Sequence, residues 1–343
     1  MNFDPIITVL LPVRNEIRYI KRCLDSIVNQ TISKDIIEVL VIDGNSSDGT
    51  KEIIKYYSDK YNYIKLIENP FCDTISSLNL GIKNARGNII VRVDGHTVLE
   101  EDYIETATKI LNKTGADNVG GLMRPIGNKY IQKSIALAMS SIFGIGWGKF
   151  HYSLKEGFVD TVYLGVFKRE IFEKLGYFDP DMPFNEDNEY NLRITISGGK
   201  IYLSPKIKSY YFPRDNLKDL AKQFFRYGFY KPKILKKYKR IFSSRHIVPL
   251  IFILGILFLI ILSICNFKKS IFLAIYLCVY FIIAFIFSLY ISFKNNIKYL
   301  FSLPIVFFVI HFNYGLGLLL GLIKFIIFDG SKKNNKSMAR QTF

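Results

Sequence analysis

Two stretches of sequence decide the fold: residues 6–16, IITVLLPVRNE, and residues 88–96, NIIVRVDGH. Each is a short run of apolar, largely β-branched residues that ends in charged or polar ones. Runs of this kind predict buried strands of a mainly parallel sheet. In such sheets, ligands bind beyond the carboxyl ends of the strands. We therefore expect a functional site made from the polar residues that follow these two strands.

Up to residue 125, β-branched runs alternate with longer amphipathic stretches, which is typical of βαβ units. The predicted fold class is α/β, with an open, Rossmann-like and mostly parallel sheet of the nucleotide-binding type. Strands are predicted at residues 6–11, 38–42, 63–66 and 88–93, and helices at residues 17–29, 50–57 and 74–84.

Residues 126–230 follow a different pattern, which we interpret as the acceptor-side half of the same catalytic domain. This part contains an apolar segment rich in small residues at 131–148, a strand at 162–166 and helices near 169–175 and 187–197. The predicted organisation is a catalytic domain (1–230), a basic juxtamembrane segment (231–246), a membrane domain (247–328) and a basic tail (329–343).

The net charge of +17 is concentrated at the C-terminal end of the chain. Residues 231–343 hold 16 of the 46 Lys and Arg residues, but only one acid, Asp329. The longest apolar runs lie in the same part of the chain. Basic residues beside apolar runs are typical of a membrane protein, so the charge does not indicate a nucleic-acid partner.

The four cysteines show no close paired spacing, so the sequence predicts neither a disulfide framework nor a zinc site. The N-terminus lacks the basic and apolar regions of a signal peptide. We therefore expect the catalytic part to face the cytosol, in a multi-pass protein of the cell membrane.

Three apolar segments reach the roughly 20 residues that a spanning helix needs: residues 247–265, 270–293 and 299–323. Three crossings place the dense basic run at 231–245 and the basic tail on opposite sides, against the positive-inside rule. One hypothesis resolves this: residues 299–328 form a re-entrant pair of half-helices, broken around Asn313–Gly317, that returns the tail to the cytosol.

Asp94 and His96 lie at the end of the fourth predicted strand. A carboxylate and an imidazole at positions i and i+2 can share one divalent ion that neutralises a diphosphate leaving group. The alternative is a turn in which Asp94 caps the next element and His96 is a surface residue.

The first and second strand ends carry further candidates for donor binding. Asp43 is placed to accept a hydrogen bond from a base or ribose. Arg14 and Glu16 follow Pro12: Arg14 can bind a phosphate, and Glu16 can orient the donor or the Arg14 side chain. The alternative is a surface ion pair between these two residues. Asp48 reads as a helix cap.

A second acidic cluster, Glu186 and Asp187, begins a predicted helix. A carboxylate at a helix N-terminus stays ionised and can take a proton from an acceptor hydroxyl, although plain helix capping gives the same pattern. Downstream, Gln223 and Arg226 share a helix face with Tyr227 nearby, which suits either a diphosphate contact or an amphipathic interfacial helix.

No P-loop lysine motif, G-x-G-x-x-G fingerprint or G-x-S-x-G elbow is present. Seven motifs follow one another along the chain, at residues 12–16, 43–50, 79–82, 94–96, 176–179, 186–187 and 223–227. In this order they resemble the motifs of inverting family 2 glycosyltransferases with a GT-A fold, over about residues 5–230. The histidine of the metal motif and residues 159–167 resemble the ExoA-like succinoglycan biosynthesis branch.

The resemblance implies a nucleotide-sugar donor, with Asp43 on the nucleoside and Mn or Mg at Asp94 and His96. It also implies that Asp187 is the base of a single displacement, and that Pro12, Asn79, Gln223 and Arg226 belong to the donor site. The chain departs from the family pattern at two positions: Gly44 stands where many members have a second Asp, and His96 replaces the last acid of D-x-D. Tyr227 stands where processive synthases have Trp, so the Gln223–Arg226 element argues only weakly for polymer synthesis.

The leading functional hypothesis is a membrane-anchored transferase that adds one sugar to a lipid-linked acceptor in exopolysaccharide or cell-surface glycan assembly. The hypothesis leaves open whether other exopolysaccharide assembly proteins bind the chain. Alternatives are a polyprenyl-phosphate glycosyltransferase, a processive synthase, and a non-catalytic nucleotide-sugar sensor or scaffold.

Overall fold

The computed structural model describes residues 6–146, 148–151, 153–239 and 244–328. Within these ranges, strands that alternate with helices form one mixed sheet. The strands are β1 (Ile7–Val13), β2 (Ile37–Asp43), β3 (Ile64–Glu68), β4 (Ile89–Arg92), β5 (Thr97–Leu99), β6 (Asn118–Pro125), β7 (Gly157–Phe158), β8 (Tyr163–Lys168) and β9 (Ile201–Tyr211).

The helices of the sheet-containing part are α1 (Ile20–Val28), α2 (Thr50–Lys60), α3 (Thr74–Asn84), α4 (Tyr103–Thr114), α7 (Glu170–Leu175) and α8 (Glu186–Ile196). The remaining helices are α5 (Tyr130–Met139), α6 (Ile142–Ile145), α9 (Leu217–Tyr238), α10 (Ser244–Cys265), α11 (Ser270–Lys294) and α12 (Ser302–Leu322), which continues as a π-helix (Ile323–Phe328).

The sheet order is β3-β2-β1-β4-β8-β6-β9-β5, with β7 beside β9. The first four strands of this order are parallel, whereas β8 is antiparallel to β4 and β6. β1 has β2 on one side and β4 on the other, so the strand order reverses between β1 and β4. Ligands in open α/β sheets bind at such a switch point, beyond the carboxyl ends of the strands.

Side chains of the central strands alternate between two apolar layers because successive residues of a strand point to opposite faces. Val9, Leu11 and Val91 pack with α1 and α4 on one face. Leu10 and Ile90 pack with α3, α7 and α8 on the other. Apolar side chains of the central strands therefore cover both faces of the sheet, and Asp43 and Arg92 lie at the carboxyl ends of β2 and β4.

The strands predicted at residues 6–11, 38–42, 63–66, 88–93 and 162–166 are confirmed, as are the helices between them. Helix α1 starts at Ile20 rather than at residue 17, because the Tyr19 N–H closes a turn on the Glu16 carbonyl at 2.8 Å. Strand β6 was not predicted, since Gly120 and Gly121 weaken the strand pattern. A Cβ at Gly121 would lie 1.9 Å from the Ile207 carbonyl oxygen of β9, so this pairing needs glycine.

The chain divides into two compact units. The first contains the described residues up to Arg124 and from Lys149 to Phe212, and the second contains Pro125–Gly148 and the described residues from Pro213 onward. Residues 125–148 and 213–230, which the sequence assigned to the catalytic domain, thus belong with the C-terminal helices. The functional boundary at residue 230 stays a prediction, and residues 240–243 and the tail at 329–343 lie outside the described residues.

Three helical segments of the second unit are long and apolar enough to cross a membrane: His246–Cys265, Phe267–Lys294 and Ser302–Phe328. The hypothesis of two half-helices broken around Asn313–Gly317 is wrong, because α12 runs through these residues without interruption. Its glycines serve close helix packing instead. A Cβ at Gly315 would lie 2.2 Å from the Pro249 carbonyl oxygen, and one at Gly317 would lie 2.1 Å from the Phe225 carbonyl oxygen.

Replacing Gly317 with leucine should destabilise the second unit by about 1–3 kcal/mol, because α9 and α12 would have to separate. Thermal unfolding in detergent measures this as a lower melting temperature. Leu320→Phe is the matched control, since Leu320 lies on the exposed side of the same helix. Equal melting of the glycine variant and the wild type would contradict the packing role.

Candidate active site

The loops after β1 and β2 are locked to each other by hydrogen bonds. Asn15 adopts a left-handed conformation with φ 56°, its N–H donates to the Ser46 hydroxyl at 2.9 Å, and its side-chain oxygen accepts from the Ser47 N–H at 2.9 Å. Asp48 accepts from the Thr50 N–H at 3.1 Å and from the Ile17 N–H at 3.1 Å. Asp48 therefore satisfies the first N–H of α2 from the position before the N-cap Gly49, and it also holds the turn that precedes α1.

Asp43 ends β2 and is almost fully buried. One carboxylate oxygen, Oδ2, accepts from the Ser46 N–H at 3.1 Å, whereas Oδ1 is buried and has no hydrogen-bond partner among the described residues. A buried acceptor without a partner costs free energy that a ligand N–H or O–H would recover. Pro12 lies inside β1 and pairs in register with Ile42, next to Asp43.

Arg14 reaches over the end of β2 toward the loop that follows β3. Its guanidinium donates from Nη1 to the Cys72 carbonyl at 2.6 Å. Cys72 has φ 59°, a conformation that non-glycine residues rarely adopt. Gly44 lies next to this hydrogen-bonded bridge between Arg14 and Cys72. A Cβ at Gly44 would lie 3.5 Å from Arg14 Cβ and 3.6 Å from Cys72 Cα.

Glu16 pairs with His96, which the sequence did not predict. The Nδ1–Oε1 distance is 2.9 Å, and because a carboxylate can only accept, Nδ1 carries the proton. This is the arrangement by which a second carboxylate orients a metal-binding histidine. Between Asp94 and His96, a Cβ at Gly95 would lie 3.0 Å from Glu16 Cγ and Val13 Cγ1, so the close approach of the two loops favours glycine.

The end of β4 and the start of α8 are joined by one buried arginine. Arg92 Nε lies 3.2 Å from Asp94 Oδ1, and Nη2 lies 2.8 Å from Glu186 Oε1. Arg92 is not among the residues predicted from the sequence, although a charged residue in an apolar strand is a signal for a buried partner. The arginine brings the predicted metal residue and the predicted catalytic cluster into one network.

Glu186 and Asp187 occupy the first turn of α8 but have different surroundings. Burial raises the pKa of the Glu186 carboxyl; the Arg92 guanidinium opposes this rise, and the neighbouring Asp187 carboxylate adds to it. Asp187 is half-buried, and its Oδ1 accepts from the Asn188 N–H at 2.7 Å. Glu186 is thus committed to an ion pair, whereas Asp187 lies at the helix N-terminus, where a negative charge is stabilised.

The other predicted donor residues lie in different settings. Asn79 exchanges two hydrogen bonds with the backbone of Phe178, at 2.8 Å and 2.9 Å, and so holds the loop that leads to α8. Gln223 and Arg226 lie on α9 in the second unit, where Gln223 donates to the Tyr227 hydroxyl at 2.9 Å. Among the described residues, no group of three His, Cys, Asp or Glu side chains is arranged to hold a metal ion.

Residues 8–176 match the family model described as Glycosyl transferase family 2. Residues 8–176 therefore form a family 2 glycosyltransferase domain. The predicted α/β fold of GT-A type, followed by apolar C-terminal helices, is confirmed, and so is the prediction of an enzyme.

The glycosyltransferase resembles two curated proteins over most of its length. It is 28% identical over 332 residues to the Dolichyl N-acetyl-alpha-D-glucosaminyl phosphate 3-beta-D-2,3-diacetamido-2,3-dideoxy-beta-D-glucuronosyltransferase of Methanococcus voltae, covering 94% of this chain and 98% of that protein. It is 26% identical over 244 residues to the Succinoglycan biosynthesis protein ExoA of Rhizobium meliloti, covering 71% of this chain and 74% of that protein.

A solved structure shares the fold over most of the chain. The mannosyltransferase PcManGT from Pyrobaculum calidifontis, in complex with GDP-Man and Mn2+, matches with a TM-score of 0.62 at 18% identity. The match covers 91% of this chain and 88% of that one.

Replacing Asn79 of the glycosyltransferase with alanine should lower the free energy of unfolding by about 1–3 kcal/mol, because two hydrogen bonds to Phe178 are lost. Thermal unfolding gives the change in stability, and nucleotide titration of the folded protein gives the donor Kd. Asn84→Ala, an exposed position on the same helix, is the control. An unchanged Kd would assign Asn79 a structural role, whereas a weaker Kd at unchanged stability would support the donor contact predicted from the sequence.

Proposed function

We propose that this chain is an inverting, membrane-anchored glycosyltransferase that moves one sugar from a nucleotide-sugar to a hydroxyl of a lipid-linked acceptor. In the proposal, this transfer is a step in the assembly of an exopolysaccharide or another cell-surface glycan. The single observation that carries this proposal is the network at the switch point of the sheet, where Arg92 links Asp94 to Glu186, beside Asp187.

The nucleoside part of the donor suits the end of β2. Asp43 offers a buried acceptor that has no hydrogen-bond partner among the described residues, and a base N–H or a ribose hydroxyl would satisfy it. Pro12, Arg14 and Asn79 are the further donor residues of this side in the proposal. The bridge from Arg14 to the Cys72 carbonyl lies over this strand end and would shift to admit the nucleoside.

The residues after β4 fit a divalent cation held together with the donor. Asp94 and His96 would supply an oxygen and a nitrogen ligand, and because Glu16 engages Nδ1, the ring would coordinate through Nε2. The remaining ligands of Mn or Mg would come from the diphosphate and water, as is usual for these ions. The bound cation supplies charge neutralisation of the departing diphosphate.

Asp187 is the proposed base, and Glu186 supports it through the ion pair with Arg92. Asp187 takes the proton of the acceptor hydroxyl as that oxygen attacks the anomeric carbon. The new carbon–oxygen bond forms on the face opposite to the departing group, and the bond from the sugar to the diphosphate breaks. The nucleoside diphosphate leaves with the bonding electrons, so the anomeric configuration inverts.

A membrane-embedded acceptor is supported by three apolar helical segments and by the relatives. One relative carries a dolichyl phosphate-linked sugar in its name, and the other is named for succinoglycan biosynthesis. In the proposal, the sheet-containing unit faces the cytosol, since the basic run at 231–245 precedes the first apolar helix. Gln223 and Arg226 are then proposed to bind the diphosphate or the acceptor.

The function is tested by turnover in membranes that contain the chain. UDP-, GDP- and dTDP-sugars are offered with Mn²⁺ or Mg²⁺ and a lipid extract, and both nucleotide release and label in lipid are scored. Label in a lipid-linked oligosaccharide is the expected result, with the opposite anomeric configuration to the donor by NMR. Label on the carrier phosphate itself, label in a long polymer, or binding without turnover would instead support the carrier-charging, processive or scaffold alternatives.

Replacing Asp187 with asparagine should abolish transfer, with a fall in kcat of at least about 100-fold, and leave the donor Kd within a factor of about two. The reason is that the amide cannot accept the acceptor proton, although the local hydrogen bonds persist. Asp181→Asn, an exposed carboxylate before the same helix, is the matched control. Wild-type turnover by the Asp187 variant would refute the base assignment.

Removing the carboxylate of Glu16 should weaken cation activation by about 10- to 100-fold, because His96 loses the partner that orients its ring. The measurement is the Mn²⁺ concentration for half-maximal activity after removal of bound metal with EDTA. Glu16→Gln, which keeps a hydrogen bond, should have a smaller effect than Glu16→Ala. Glu52→Ala, at an exposed position of α2, should have no effect. The same half-activating concentration in all variants would contradict the metal role of His96.

A further inference from the structure

Arg92 is a positive charge placed inside an otherwise apolar strand. It is the last residue of β4, and its side chain points to the same face as Ile90, toward the layer that contains α8. Only 9% of its side chain is exposed. Burying a guanidinium is costly unless carboxylates compensate it, so its position calls for a reason other than packing.

Three carboxylates supply that compensation. Asp94 and Glu186 contact the guanidinium at 3.2 Å and 2.8 Å, and Asp187 acts on it electrostatically from the next position of α8. The third nitrogen of the head group, Nη1, is buried without a hydrogen-bond partner in the described part of the chain. We call Asp94, Glu186 and Asp187 the acidic cluster. These three carboxylates outnumber the single guanidinium of Arg92, so the cluster keeps a net negative charge.

The described side chains do not form a complete set of metal ligands, but without Arg92 the negative charges of Asp94, Glu186 and Asp187 would attract divalent cations. Here the guanidinium lies between Asp94 and Glu186, so a cation approaching Asp94 meets a positive charge within a few ångströms. Repulsion between charges at such distances is strong in a partly buried site, where the effective dielectric constant is low. The diphosphate of a donor would restore the attraction because it brings its own negative charge and oxygen ligands.

We propose that Arg92 is a positioning residue that acts through Asp94 and Glu186 as an internal counter-cation, excluding divalent cations from the acidic cluster until a nucleotide diphosphate arrives. This rests on the proposed function, in which Asp94 is a metal ligand. Cation and donor then enter as one unit. The enzyme without donor keeps its base, Asp187, free of a bound metal.

The test is a Mn²⁺ titration of the full-length protein without nucleotide, followed by electron paramagnetic resonance of the free ion. Arg92→Met should bind Mn²⁺ at least about 10-fold more tightly than the wild type, because the repulsion is removed. Arg92→Lys keeps the charge and should remain close to the wild type. Arg169→Met removes an arginine of the same unit that pairs with Glu173, and controls for the change in net charge.

A second variant covers the case in which Arg92→Met does not fold. Arg92→Met/Glu186→Gln removes one charge of each sign and should still bind Mn²⁺ more tightly than the wild type, with a smaller gain. Glu186→Gln alone should bind Mn²⁺ no more tightly than the wild type, because the guanidinium stays beside Asp94. Nucleotide-free affinities of both Arg92→Met forms equal to the wild-type value would overturn the proposal.

The titration separates this proposal from the proposed function because it uses neither donor nor turnover. A parallel titration of the wild type with UDP or GDP should show Mn²⁺ binding at least about 10-fold tighter than without nucleotide. If no nucleotide has this effect while Arg92→Met gains affinity alone, the donor assignment fails and the exclusion by Arg92 stands. If nucleotide has this effect and the Arg92 variants bind Mn²⁺ like the wild type, the proposed transferase function stands and the proposed exclusion of cations by Arg92 is refuted.

Discussion

The parallel register of β1, β2 and β4 is the constraint on which the site depends. Because the three strands run in one direction, their carboxyl ends meet at one edge, and the reversal of strand order between β1 and β4 opens that edge. Glu16 and His96 are 80 positions apart in sequence, yet they form a hydrogen bond there. Every other feature of the site, from the loop locks to the arginine network, is built on this alignment.

Buried charge sets the electrostatics of that edge. Arg92 with its carboxylates is not best explained as a device for stability, since apolar residues of similar volume often stabilise a core as well as a buried ion pair does. What the ion pairs provide is geometry: one planar guanidinium holds the end of a strand and the start of a helix in a fixed relation. The network therefore places Asp187 relative to Asp94.

The sequence predicts the parallel half of the sheet because its strands are β-branched runs bounded by turn residues. It does not predict β6, where Gly120 and Gly121 conceal the strand. Nor does it predict that the glycines of α12 serve packing, because Asn313–Gly317 has the composition of a break while the contacts that keep it helical come from α9 and α10. Candidate residues at strand ends are predictable one by one, but their pairing across 94 positions, as for Arg92 with Glu186, is a property of the fold.

The charge balance of the site also explains why the chain itself offers so few metal ligands. Asp94 is shared with Arg92, and His96 is shared with Glu16, so each predicted ligand is already held by a second side chain. A partner fixes the orientation of the ligand side chain in both cases. A cationic partner, as for Asp94, lowers the affinity of the ligand for a metal ion, whereas a carboxylate partner, as for His96, raises the basicity of the ligand. The two effects oppose each other across one short loop. In the function and the inference proposed above, such a site would bind a cation weakly alone and firmly with a diphosphate, which would tie the chemistry of the transferase to the presence of its donor.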